Sequence, residues 1–123
     1  MIHLDTSVLV DSLSGPQRSA PKLREWIDRR ERILISTLVL YEWWRGPRLG
    51  EDIEAQEALF PTMKSIPFGP EEAEVAAKLY RQVHRPRGRE IDLAIAACAL
   101  LHDAALWTLN TADFGDIPGL RLV

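Results

Sequence analysis

The chain of 123 residues carries a single cysteine, Cys98. No disulfide within the chain can form, which fits a reducing compartment. Nothing near Cys98 in sequence would activate a thiol, and it lies inside an apolar helical pattern, so it reads as a small core residue. No apolar run approaches the ~18 residues of a membrane span. The opening MIHLDTSVLVDSL lacks a basic stretch and carries acids within its apolar run, so it does not read as a signal peptide. These absences point to a cytoplasmic protein without a membrane partner. Neither G-x-x-x-x-G-K-[ST] nor G-x-G-x-x-G occurs, which excludes the phosphate cradles built on those loops. His3, His84 and His102 show no metal-ligand spacing with one another, and a surface or core role fits all three.

The net charge of -3 excludes a uniformly basic nucleic-acid coat. It does not exclude an enzyme whose bound cations supply the positive charge. Basic residues are uneven: Arg81, Arg85, Arg87 and Arg89 cluster with His84, and Arg24, Arg29, Arg30 and Arg32 form a second group. Each reads either as a solvated helix end and loop or as a rim that contacts phosphates.

What is present suits one domain over residues 1–123, 46% hydrophobic and 27% charged, with enough apolar mass for a core. Ile2-His3-Leu4, Ile33-Leu34-Ile35, Ile66-Pro67-Phe68 and Leu106-Trp107-Thr108-Leu109 read as short strands, with Leu120 to Val123 as a last one. Helices are expected near residues 8–10, 19–31, 38–45, 51–60, 70–83 and 91–102, the last apolar almost all round and hence buried. Ser36-Thr37 reads as a helix cap, and Pro70 followed by Glu71-Glu72 as a helix start. Apolar strands alternating with helices predict an α/β domain: a three-layer α/β/α arrangement around a central parallel sheet of four to five strands.

Four acids stand in or against apolar segments: Asp5, Glu42, Asp92 and Asp113. A buried carboxylate is costly unless it is paired or bound to metal. Ligands in such folds sit beyond the carboxyl ends of the strands. Asp5 and Asp113 follow strands, Glu42 lies one turn into the helix after the second strand, and Asp92 opens the buried helix that leads back to a strand. Each also has a plainer reading. Asp5 and Asp92 suit helix caps, and Asp113 suits a turn residue bonding its own backbone. Glu42 sits mid-helix, where only a weak pair with Arg45 offers itself.

Taken together the acids make a different case. Two like charges ~4 Å apart repel by ~4 kcal/mol at an effective dielectric of ~20, so four carboxylates in one cleft hold protons or recruit cations. Hard oxygen donors without His or Cys select Mg²⁺ or Mn²⁺ rather than zinc. Such ions support in-line displacement at phosphorus. The hydroxyls of Thr6, Ser7 and Thr111 and the amide of Asn110 are placed to orient carboxylates or bound water. Other acid-based α/β sites fail on spacing. A haloacid-dehalogenase-type phosphatase needs a second Asp where Ser7 stands. A phosphoacceptor receiver domain needs an Asp and a late Lys that this chain lacks.

The opening I-x-L-D-T-S-V-L, the E-x-x-x-G of Glu42 to Gly46, the D-x-x-I-A-A of Asp92 to Ala97 and the T-x-N-x-x-D-F of Thr108 to Phe114 follow in order over essentially the whole chain. This set resembles a PIN domain, and specifically a VapC-type toxin of a toxin–antitoxin pair. The resemblance implies a metal-dependent endoribonuclease. It implies an acidic quartet at Asp5, Glu42, Asp92 and Asp113, and polar supporting positions at Thr6 or Ser7, Asn110 and Thr111. It also implies an RNA substrate, a homodimer and a cognate antitoxin protein. Arg85, Arg87 and Arg89 are the candidate RNA contacts.

Two departures stand out. Leu109 occupies a position where many relatives have Arg, and Trp43-Trp44 follow Glu42 where smaller aliphatic residues are common. Either one of the two tryptophans lines an apolar groove for the antitoxin, Trp being favoured at binding hot spots, or both pack in the core. Asp116 is a candidate helper for a second metal, and Asp11 a surface cap. The competing reading is a PIN-like fold acting as a protein- or RNA-binding module with activity lost. The complete quartet separates the two, because a degraded site would be expected to lose an acid. A third reading, action on DNA or structured flaps, calls for extra helical segments that this chain lacks.

Overall fold

In the computed structural model, which describes residues 1–123, the chain order is strand β1 (Ile2–Leu4), α1 (Thr6–Leu13), α2 (Ala20–Asp28), β2 (Ile33–Leu34), α3 (Thr37–Arg45), α4 (Gly50–Leu59), α5 (Pro70–Gln82), α6 (Glu90–Leu101) and β3 (Ala105–Trp107). Short 3-10 turns cover Thr62–Lys64 and Thr111–Asp113. No helix is long and apolar enough to cross a membrane.

The sheet is parallel and ordered β2-β1-β3, with His3 opposite Leu34 on one side and Leu106 on the other. It has three strands, which corrects the expected four to five. The two missing segments reach the sheet at one residue each, through parallel bridges of Ile66 to Ser36 and Leu122 to Leu106. Ile66 donates to the Ile35 carbonyl and accepts from Thr37 N–H. The next residue, Pro67, has no N–H to extend a ladder.

Both faces of the sheet are covered, and the side-chain alternation of β1 and β3 shows how. Trp107 meets Trp26 of α2 edge-on, ring centroids 4.6 Å apart. Its neighbour Leu106 pairs with His3, whose side chain lies in the field of His102 at the end of α6. The first crossover runs from β1 to β2 and the second returns from β2 past β1 to β3, so right-handed connections place their helices on opposite faces. Leu93 to Ala99 of α6 are all buried, as the all-apolar pattern predicts. α5 packs along α6 and shields it from solvent.

The starts of α3 and α5 follow ordinary capping chemistry. Ser36 Oγ accepts from Val39 N–H at 3.3 Å, and Glu72 Oε1 accepts from Gly69 N–H at 3.0 Å. Asp11, expected as a surface cap, is a buried residue within α1 whose carboxylate accepts from Ser19 N–H at 2.7 Å, and hydrogen bonding from Ser19, the side chain first, holds its acid below the usual range. Cys98 is buried in the core, and desolvation pushes its thiol up to about 12, so it is inert as read. Trp43 is fully enclosed while Trp44 is 49% exposed, which splits the pair that the sequence left together.

Candidate metal-dependent nuclease site

β1 ends at the carboxyl edge of the sheet, and Asp5 follows it at the N-cap position of α1. Its backbone N–H still belongs to the sheet, donating to the Trp107 carbonyl at 2.9 Å. The side chain is 4% exposed and does not cap the helix. Its Oδ2 instead accepts from Ser7 Oγ at 2.8 Å and Thr108 Oγ1 at 2.7 Å. Those two hydroxyls are 3.4 Å apart. Leu109 N–H donates to Ser7 Oγ and Asn110 N–H to Thr108 Oγ1, each at 3.0 Å. The backbone after β3 therefore fixes the hydroxyls, and the hydroxyls fix Asp5.

Glu42 reaches the same region from the second turn of α3. Thr6 Oγ1 donates to its Oε1 at 2.6 Å, and Arg45 pairs with its Oε2 at 3.3 Å. Thr6 thus ties α1 to α3 through a catalytic candidate. Asp92 is the third residue of α6, whose N-cap position is Arg89, so Asp92 is not the cap. Its acid is raised to about 6. Burial is the largest cause, followed by the charges of Asp5, Asp113 and Glu42, with Arg89 opposing. The charges of the other three acids thus all bear on Asp92. Asp113 closes the 3-10 turn after β3, is exposed, and bonds the turn through its backbone N–H to the Asn110 carbonyl rather than through its carboxylate.

The supporting positions divide. Thr6 and Ser7 each hold an acid, whereas Asn110 and Thr111 are exposed and their side chains hold none. Thr108, not among the expected supports, also holds an acid, Asp5. A hydroxyl one residue beyond a buried strand was the signal available for it. The arginines divide as well. Arg85 and Arg87 are exposed in the loop before α6. Arg89 is drawn inward, its guanidinium forked onto both oxygens of Asp116 and donating to the Asp113 carbonyl at 2.8 Å. Arg89, a candidate RNA contact, and Asp116, a candidate helper for a second metal, are thus paired with each other. Asp116 is held below the usual carboxylate range by the same guanidinium.

As the side chains stand, no three acidic, histidine or cysteine groups converge on one point as a closed coordination sphere would require. The donor set nevertheless has the chemistry of a hard-cation site: four carboxylates, no nitrogen or sulfur ligand, and one acid whose proton affinity is raised by burial and then by the charges of the other three.

The family model for the PIN domain matches residues 2–120. A ribonuclease VapC19 of Mycobacterium tuberculosis is 35% identical over 121 residues, covering 96% of this chain and 95% of the relative. A ribonuclease VapC of Rickettsia bellii is 40% identical over 133 residues, covering 98% and 92%. Among solved structures, a toxin–antitoxin complex from Klebsiella pneumoniae is similar to this chain with a TM-score of 0.77 and 28% identity, covering 98% of this chain and 95% of that one.

Proposed function

The chain belongs to the PIN domain family, and we propose from that premise that it is a divalent-cation-dependent endoribonuclease, the toxin of a toxin–antitoxin pair. Its relatives of full matching length carry the name ribonuclease VapC. The observation that carries the reading to residues is the hydroxyl scaffold that sets Asp5 through Ser7 and Thr108 and Glu42 through Thr6; the raised acid of Asp92, due first to burial and then to the charges of Asp5, Asp113 and Glu42, accords with it. A pocket of that kind gains most from a cation of high charge density.

Asp5, Glu42, Asp92 and Asp113 would hold Mg²⁺ or Mn²⁺. The bound ion supplies Lewis-acid polarisation of the scissile phosphate and acidifies a water molecule. The protein's own part is positional. Ser7 and Thr108 donate to one oxygen of Asp5, leaving the other free to coordinate. Thr6 orients Glu42. The neutral hydroxyls restrain Asp5 without cancelling its charge, whereas Glu42 is also paired with Arg45 on its other oxygen.

Arg85 and Arg87 face solvent beside the start of α6 and suit phosphate contacts that extend along a single RNA strand. A cognate antitoxin is the protein partner, and Trp44, half exposed on α3, is the tryptophan left to meet it. The single domain acts in the cytoplasm as a homodimer on this reading.

The test is RNA cleavage by the purified protein in Mg²⁺ or Mn²⁺ against EDTA, with Asp5→Asn in parallel. Metal-dependent cutting that is lost in the variant is expected. Cutting that persists in EDTA, or in Asp5→Asn with metal, would refute the site.

A further inference from the structure

Arg89 and Asp116 lie 27 residues apart in sequence and meet beside the turn that bears Asp113. The guanidinium makes three kinds of contact at once. One nitrogen bonds Asp116 Oδ2 at 3.0 Å and the Arg85 carbonyl at 3.3 Å; the other bonds Asp116 Oδ1 and, at 2.8 Å, the Asp113 carbonyl. Arg89 is also the N-cap residue of α6, three positions before Asp92. One side chain therefore joins the start of the helix bearing Asp92 to the turn bearing Asp113. The Arg89 side chain is 17% exposed and that of Asp116 48%. The fork is thus partly desolvated, the setting in which a bidentate pair gains strength and geometric definition.

We infer that the Arg89–Asp116 pair is a positioning clamp for the acidic site, with two effects. It fixes the Asp113 turn against the N-terminus of α6, so that the carboxylates of Asp92 and Asp113 face each other across a set gap. It also keeps the Arg89 charge out of the cleft. Arg89 lies within the field of both Asp92 and Asp113. Without Asp116 its guanidinium would be free to swing onto those carboxylates and compete with a metal ion. This inference rests on the proposed cation site.

The experiment is Mn²⁺ titration by calorimetry of the wild type, Asp116→Asn, Arg89→Gln and Arg89→Lys, with thermal melts of the metal-free proteins. Asp116→Asn and Arg89→Gln are each expected to weaken Mn²⁺ binding about tenfold or more, the range for groups that orient metal ligands. The melting temperature of Asp116→Asn is expected to change little. Arg89→Lys keeps the charge but has a single ammonium that cannot make the fork, so it is expected to bind as weakly as Arg89→Gln. Wild-type affinity in Asp116→Asn, or in Arg89→Lys, overturns the clamp. Should Arg89→Gln fail to fold, Asp116→Asn decides alone. A wild type that binds no Mn²⁺ removes the cation site itself and the clamp with it, whereas normal wild-type binding with unaffected variants removes only the clamp. RNA cleavage gives a second readout: a positioning role lowers kcat and leaves KM near its wild-type value.

Discussion

Asp5 and Asp92 are the same residue type in the same cleft, and the fold treats them in opposite ways. Asp5 is enclosed, with Ser7 and Thr108 hydroxyls on one oxygen and the sheet holding its backbone. Asp92 has no hydrogen-bond donor of its own; it is part-buried at the start of α6 and feels three other carboxylates, which together with burial bring its acid to about 6. One acid is pre-set and the other is left in need of a partner. The difference shows how a site can be rigid and still attract a cation: the scaffold satisfies Asp5 with hydroxyls and leaves Asp92 without a hydrogen-bond donor.

The sharpest way to break this comparison is Asp92→Asn. If the unsatisfied acid is what the cation binds, cleavage falls by about 10³-fold, ~4 kcal/mol of transition-state stabilisation, while circular dichroism and gel-filtration behaviour stay those of the wild type. Activity within tenfold would show that Asp92 is a bystander.

A smaller effect is expected on the anchored side. Thr108→Val removes one hydroxyl from Asp5 and leaves the carboxylate in place, so a 10–100-fold loss of Mn²⁺ affinity or of cleavage is expected. Ser7→Ala should resemble it, because the two hydroxyls share Oδ2. A titration that finds either variant equal to the wild type would mean that Asp5 needs no orientation.

The smallest effect concerns stability without metal, and its sign is opposite to the loss of activity. The folded acid of Asp92 lies above its ordinary 3.8, so the folded state holds that proton more tightly than the unfolded chain. Ionised Asp92 therefore costs stability above pH 6, and the cost fades as pH falls towards 3.8. After discounting for its partial exposure, Asp92→Asn should stabilise the metal-free protein by ~1 kcal/mol at pH 8, about 4 °C in Tm, with no difference near pH 4. Buried His3 works the other way. Desolvation lowers it to about 4, so its contribution is full above pH 6.5 and is lost as pH falls. Differential melts of Asp92→Asn and wild type across pH 4–8 cancel the His3 contribution and isolate that of Asp92.

The contrast between the two acids also marks what the sequence could convey. Apolar segments interrupted by acids were legible because burial makes a lone carboxylate expensive, and β1 with α6 was legible because elements covered on all sides leave continuous apolar runs. Ile66 and Leu122 read as strands, since apolar character does not reveal that each touches the sheet at a single bridge. Trp43 and Trp44 are adjacent and alike, but the ~100° step of a helix sends one inward and the other to solvent. Arg89 with Asp116, and Thr108 with Asp5, are pairings at long sequence separation between ordinary polar residues. Neither periodicity nor composition carries such contacts; only the packing of α6 on β3 and the pairing of β3 with β1 create them.

The central claim is that acids from four separate segments act on one cation. The direct measurement is Mn²⁺ binding by calorimetry to the wild type and to Asp5→Asn, Glu42→Gln, Asp92→Asn and Asp113→Asn, each checked for folding. The account predicts binding by the wild type and at least a tenfold loss in every variant. Wild-type affinity in Asp92→Asn and Asp113→Asn would contradict it, leaving a site confined to the first half of the chain.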